Sequence, residues 1–309
     1  MNARRLEDFK NHLEKLTHEG PLSISGHLQS FPAIRPAKNL NFQFYLQKCD
    51  ADKVLENEFR EFLSEQIVRY VIKHKFLDPK KMKDSAYQIR LYRRARKRFS
   101  SKSPSAAEVG ELILFVLLES QGILQIVQKM PLKTSKEMPI HGSDGVHIQI
   151  ADGFFLLHFG ESKMVRTYQE GIRKALFSIS EFYKENKGES DRDLEVEIIS
   201  THIDEVKFEG FVDLIEELVL PYGGDKSKRR EVKSIFVGYD WEAFKTLSSR
   251  NGKDLTTHLS DLFHKAQPSI VDFCKDMIDK SDFKDEHFHI QFIPFINEQK
   301  FREKFKEAL

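Results

Sequence analysis

The chain has 309 residues, enough for one large domain or two ordinary ones, and its 40% apolar and 31% charged residues match a soluble globular protein. No run approaches the roughly 20 apolar residues of a membrane span, and the charged, amphipathic start has no secretion-signal core. Cys49 and Cys274 are too few and too far apart for a disulfide framework or a zinc site, which points to the reducing cytoplasm. A formal net charge of +1 leaves nucleic acid neither favoured nor excluded.

In chain order, residues 1–100 read as an α+β unit of their own. A Pro- and Gly-punctuated stretch leads into an alternating strand at 40–46. A helix over 50–76 then carries Leu55, Phe59, Phe62, Leu63, Ile67, Tyr70 and Val71 on one stripe. A basic helix over 90–99 follows. Its Arg90, Arg93, Arg94, Arg96, Lys97 and Arg98 belong to a strip between Lys80 and Lys102 that contains a single acid, Asp84. The strip reads equally as a phosphate-tracking surface or as a solvated or partner-docking face.

Residues 101–309 form the second region. Ser103-Pro104 opens a strongly apolar helix, buried against a sheet and running to about residue 129. It is interrupted by Glu108, Glu111 and Glu119, each either a salt-bridged edge or a carboxylate directed at a site. A helix is expected over 165–187, a strand over 194–200, a helix over 208–220 and a loop at 223–230. Then come a strand over 233–239, helices from 241 and over 272–280, a strand over 287–295 and a helix over 298–309. This is a mixed α/β layer pattern.

The stretch from His141 to Met164 constrains itself most tightly. Asp152-Gly153 is the dipeptide preferred by a two-residue type I′ hairpin loop, and apolar or alternating runs flank it. In such a hairpin residue i faces residue 305 − i, so Asp144 stands opposite Glu161, and the period of two puts Lys163 on the face of Glu161. Two carboxylates about 5 Å apart repel by roughly 3 kcal/mol at an effective dielectric of about 20. A hard divalent ion such as Mg²⁺ would sit between them. Glu-x-Lys recurs at 185, 205, 231 and 298, but only Glu161 has an upstream acid locked opposite it by a short turn. His147 and His158 also face each other across this ladder, a metal pair or, as the favoured reading, part of a polar solvent face. His287 and His289 read as ordinary strand alternation.

A buried helix with glutamates, Asp144, a hairpin, Glu161-Ser-Lys163 and a helix beginning near Tyr168-Gln169 resemble the PD-(D/E)xK nuclease superfamily. More narrowly, GSDGVHI followed by HFGESKM resembles the HamA C-terminal-like domain, the nuclease component of the Hachiman antiphage system. The resemblance runs from about Ser103 to the C-terminus, and Ser143 stands where a proline often precedes the Asp. It implies a restriction-endonuclease-like core, a mixed central sheet flanked by helices. It further implies that Asp144 and Glu161 bind Mg²⁺ or Mn²⁺ and that Lys163 orients the attacking water and offsets charge on the phosphate. Glu111 or Glu108 would add a ligand and Gln169 would support the site. The expected activity is DNA cleavage with little sequence preference under control of a helicase partner, HamB, with the N-terminal region as candidate partner contact. The alternatives are a restriction-type endonuclease with its own target sequence and a catalytically idle DNA-binding or interaction module; the intact Asp, Glu and Lys set argues against the last.

Overall fold

A computed structural model describes the chain except for residues 1–2, 20–21, 51–52, 79, 100–105, 129–141, 187, 221–225 and 250–253. Its frame is one curled eight-stranded mixed sheet. The strands are β1 (Leu28–Ser30), β2 (Ile34–Ala37), β3 (Leu40–Gln47), β6 (Leu124–Gln125), β7 (Gly145–Ala151), β8 (Phe154–Val165), β9 (Arg229–Asp240) and β10 (His287–Phe295). They lie in the order β1-β3-β10-β9-β8-β7-β6, with β2 also paired to β3. The four central strands β3, β10, β9 and β8 are parallel, and β7 and β6 continue the sheet antiparallel. A separate two-stranded ribbon is made by β4 (Cys49–Asp50) and β5 (Lys53–Val54).

Nine helices are described: α1 (Ala3–Glu19), α2 (Glu56–Val71), α3 (Ser85–Phe99), α4 (Ala106–Ser120), α5 (Tyr168–Tyr183), α6 (Asp191–His202), α7 (Val212–Val219), α8 (Leu255–Asp279) and α9 (Glu298–Ala308). Helices α2, α4 and α9 cover one face of the sheet, burying Val109, Leu112, Phe115 and Leu117 of α4 with Phe236 and Phe295 of the strands. On the other face α5 and α8 cover β3, β9 and β10, while α1, α6 and α7 cover β7 and β8. The strands are buried on both sides, which is why they read as continuous apolar runs.

The mixed sheet flanked by helices bears out the expected class of fold. Strand 287–295 and the closing helix also stand where expected. Several expectations are corrected. The apolar helix read to about residue 129 ends at Ser120 and gives way to β6, and the helix read over 50–76 spans only Glu56–Val71, after the β4–β5 ribbon. Residues 194–200 are part of α6, not a strand: Ser190 and Asp193 form a capping box, and Val196 and Ile199 turn inward at helical spacing while Leu194 faces solvent. The helix expected over 272–280 is the end of the 25-residue α8, which continues through Pro268. His147 and His158 are not on a solvent face: both are buried on the α4 side, where Nδ1 of His158 and the Ser234 hydroxyl are 2.8 Å apart. Burial holds His158 and His289 well below the usual histidine range. The helix start expected at Ser103-Pro104 lies outside the described residues.

The two regions read on either side of residue 100 share this sheet. β3, from the first region, pairs in parallel with β10, and α2 packs into the same core as α4 and α9.

Candidate active site

The hairpin forms as its sequence dictates. Asp152 and Gly153 have φ of 51° and 72°, the left-handed pair a type I′ loop requires, and β7 pairs β8 from Ala151↔Phe154 to Gly145↔Gly160. Every pair sums to 305. Beyond the last pair the Asp144 amide still donates to the Gly160 carbonyl at 2.8 Å, so Asp144 is held at the level of Glu161.

The Asp144 carboxylate is anchored by one oxygen, which accepts from the Ser162 amide at 2.6 Å and the Ser162 hydroxyl at 2.7 Å. Gly110 of α4 makes room for that hydroxyl, since a Cβ there would lie 2.9 Å from Ser162 Oγ. Lys163 contacts Glu161 through its ammonium, and the Ser178 hydroxyl of α5 also bonds Glu161. The Glu161 and Lys163 side chains are 13% and 24% exposed, so the pair is largely shielded from water without being sealed off.

Electrostatics separate this Glu-x-Lys from its closest rival. Burial, and then the charge of Asp144, push the Glu161 carboxyl up to about 7, and Lys163 and Ser178 offset this only in part. At Glu231, burial also raises the carboxyl, but the Arg192 and Arg229 guanidiniums and a hydrogen bond from Tyr183 overcome it and hold it low. Its neighbour Lys233 is paired with Glu286 at 2.9 Å. The 231 motif is neutralised by protein groups; at the 161 motif burial and Asp144 disfavour the charged carboxylate, and its protein partners only partly offset this.

The α4 glutamates divide. Glu111 accepts from the Tyr70 hydroxyl of α2 at 2.9 Å. That buried phenol is held well above its usual range by burial, then by Glu111, and at longer range by Asp144 and Glu108, so these carboxylates share one neighbourhood. Glu119 belongs elsewhere, in a buried ion pair with Lys207 at 3.1 Å. Gln169, in the first turn of α5, does not line the cavity beside Asp144 and Glu161; the α5 side chain that reaches Glu161 is Ser178. Arg90, Arg93, Arg94, Arg96 and Lys97 are exposed along α3, with Arg94 over the Phe76 ring at 4.7 Å; the Arg98 side chain lies outside the described residues.

Sequence reasoning missed Ser162, Ser178, Tyr70 and Lys233 at or near this cavity. Ser162 had a signal, the middle position of Glu-x-Lys, where the backbone amide and side chain can both turn to the upstream acid. The others are brought close only by packing.

With this geometry in view, comparison with known families is decisive: the HamA family model matches residues 27–309, nearly the whole chain. The chain belongs to the HamA family. Membership makes it an antiphage defence protein of the Hachiman type, systems in which HamA works with a helicase partner. No curated protein matches the chain. The HamA match begins at residue 27, so it takes in β1 to β3 as well as the hairpin. Among the described residues no helix is long and apolar enough to cross a membrane.

Proposed function

We propose that the chain is a metal-dependent DNA nuclease, the effector of its defence system, which hydrolyses phosphodiester bonds with little sequence preference and is held in check by the helicase HamB. The observation that carries this reading is the placement of Asp144 beside a partly buried Glu161, whose carboxyl burial and Asp144 push up, with the Lys163 ammonium in contact.

The donor set fits Mg²⁺ or Mn²⁺. Among the described residues no three His, Cys, Asp or Glu side chains converge into a cage of their own, but Mg²⁺ is ordinarily held by one or two carboxylates, with water and substrate phosphate completing the shell. Asp144, through the oxygen not bonded to Ser162, and Glu161 would hold the ion, with Glu111 or Glu108 as a further ligand. When bound, such an ion supplies Lewis acidity toward a phosphoryl oxygen and lowers the pKa of water. Ser162 fixes the direction of Asp144. Ser178 fixes Glu161. Lys163, in contact with Glu161, would offset charge on the phosphate and orient the attacking water. The exposed cations of α3 follow the phosphate backbone by counterion release, and the N-terminal region is the candidate contact for the helicase.

Plasmid DNA incubated with the purified chain is expected to be reduced to a smear in Mg²⁺ and to survive in EDTA, and a Lys163→Ala chain is expected to leave it intact. In binding titrations over 50 to 200 mM salt, changing Arg93, Arg94 and Lys97 together to Glu is expected to flatten the slope of log K against log salt by about 2 to 3. Discrete bands in place of a smear would contradict the lack of sequence preference, and cleavage that persists in EDTA would contradict the metal requirement.

A further inference from the structure

Phe177 is the most exposed large apolar side chain among the described residues, at 67%, although the α5 residues around it, Ala175, Leu176, Ile179 and Phe182, are buried. It is therefore not held there by the core. It immediately precedes Ser178, the residue bonded to Glu161, and it lines the 340 Å³ cavity that also contains Asp144 and Glu161. Glu181, one helical turn on and on the same side of α5, lines that cavity too, as does Asp191 at the start of α6. Phe159, Phe182 and Tyr183 pack ring against ring behind it. Phe177 has no ring partner of its own among the described residues.

An exposed phenyl face with carboxylate acceptors beside it, next to a candidate phosphodiester-cleaving centre, matches the two recognition elements of a nucleobase. Every base offers a π-face for stacking, and adenine, cytosine and guanine offer amino groups to an acceptor. The described lining sets Asp144, Glu161, Glu181 and Asp191 against Lys233, which is itself paired with Glu286, so the phosphate belongs with Lys163 rather than in this cavity. We infer that Phe177 is the stacking platform for an unpaired base next to the scissile phosphate, so that single-stranded DNA is bound more tightly than duplex and a duplex such as a plasmid is cut where a base leaves the stack. A base inside a duplex has both faces covered by its neighbours and cannot occupy this place without leaving the stack. The assignment of substrate class rests on the nuclease reading above; the stacking site itself does not.

The test uses the full-length chain carrying Lys163→Ala to prevent cleavage, with oligonucleotides of one sequence, single-stranded or blunt duplex, and 2-aminopurine at one position as the stacking probe. Tighter binding of the single strand, with the probe quenched, is expected. Adding Phe177→Ala is expected to weaken single-strand binding on the order of tenfold and to relieve the quenching while duplex binding stays within about twofold. Phe177→Trp is expected to restore both, which a merely structural role for the side chain would not explain. Equal affinity for single strand and duplex, or Phe177→Ala binding and quenching like its parent, overturns the inference even where the Lys163-intact chain cuts DNA. If Phe177 governs binding as expected but the Lys163-intact chain cuts neither substrate in Mg²⁺ or Mn²⁺, the nuclease reading falls and the stacking site stands.

Discussion

A Glu161→Gln chain is expected to lose on the order of a thousandfold in DNA cleavage and yet to be harder to unfold than its parent at pH 8 in EDTA. On the proposed nuclease reading, the loss follows from removing a charged oxygen donor that would help hold the cation beside Lys163. The gain follows from the raised carboxyl. Burial and Asp144 lift Glu161 from its ordinary 4.5 to about 7 in the folded chain. Between those values the folded state binds more protons than the unfolded state, so stability falls as pH rises through the window and the full penalty is present above it. Glutamine is neutral at every pH and carries no such penalty. Its advantage should be absent near pH 4, grow through pH 7 and reach about 1 to 3 kcal/mol at pH 8. Urea unfolding midpoints at the two pH values read this directly. A less stable variant at pH 8 would mean that the Lys163 contact outweighs burial and the repulsion from Asp144, and the site would then not be short of positive charge. Adding Mg²⁺ should stabilise the parent alone, because only the parent offers both carboxylates to a ligand of the folded state.

The largest loss of stability is expected at Lys207. Its ammonium is buried and donates to Glu119 at 3.1 Å and to the Gln125 carbonyl at 2.9 Å, while Glu119 also accepts from the Gln125 amide at 2.7 Å. Burial raises the Glu119 carboxyl, and Lys207 with the Gln125 amide more than reverses this, so the acid is charged because the lysine is there. Lys207→Met leaves that charge unpaired in the interior and should cost about 3 to 5 kcal/mol. Changing Glu119 to Gln in the same chain should recover most of the loss, since removing both charges is far milder than removing one. Unfolding free energies of the two single variants and the double variant decide it: a double variant as unstable as Lys207→Met alone would show that the lysine acts through packing rather than charge. The pair ties the segment after α6 to the end of α4, and Asp204, three residues earlier, binds the backbone and ring of His74 after α2. The helix carrying Glu108 and Glu111 is thereby fixed at its far end.

The features legible in the sequence were those set by short-range geometry. Asp152-Gly153 admits one turn type, the turn sets the register, and the register places Asp144 against Glu161 without knowledge of the rest of the fold. Strand 287–295 was equally plain because its apolar run is short and bounded. Residues 194–200 were not, because Leu194, Val196 and Ile198 alternate like a strand; the capping signal at Ser190 and Asp193 was the evidence that should have outweighed the alternation. The burial of His147 and His158 was illegible for a different reason. A strand in mid-sheet has two covered faces, and polar residues on the second face look solvated until the covering helix is known. Ser178 and Tyr70 reach the site only because α5 and α2 pack against it, which no local pattern encodes.

The order of the strands also carries a consequence for biosynthesis. β10 is made after both strands it joins, yet it lies between β3 and β9, and β8, which bears Glu161 and Lys163, is the strand after β9. A nascent or prematurely terminated chain without β10 leaves β3 and β9 as open edges and lacks Phe288 and Phe292 in the core on one face and Phe295 in the core on the other. An unfinished chain lacking this strand therefore cannot complete the sheet that positions Glu161 and Lys163, and such fragments are expected to be inert.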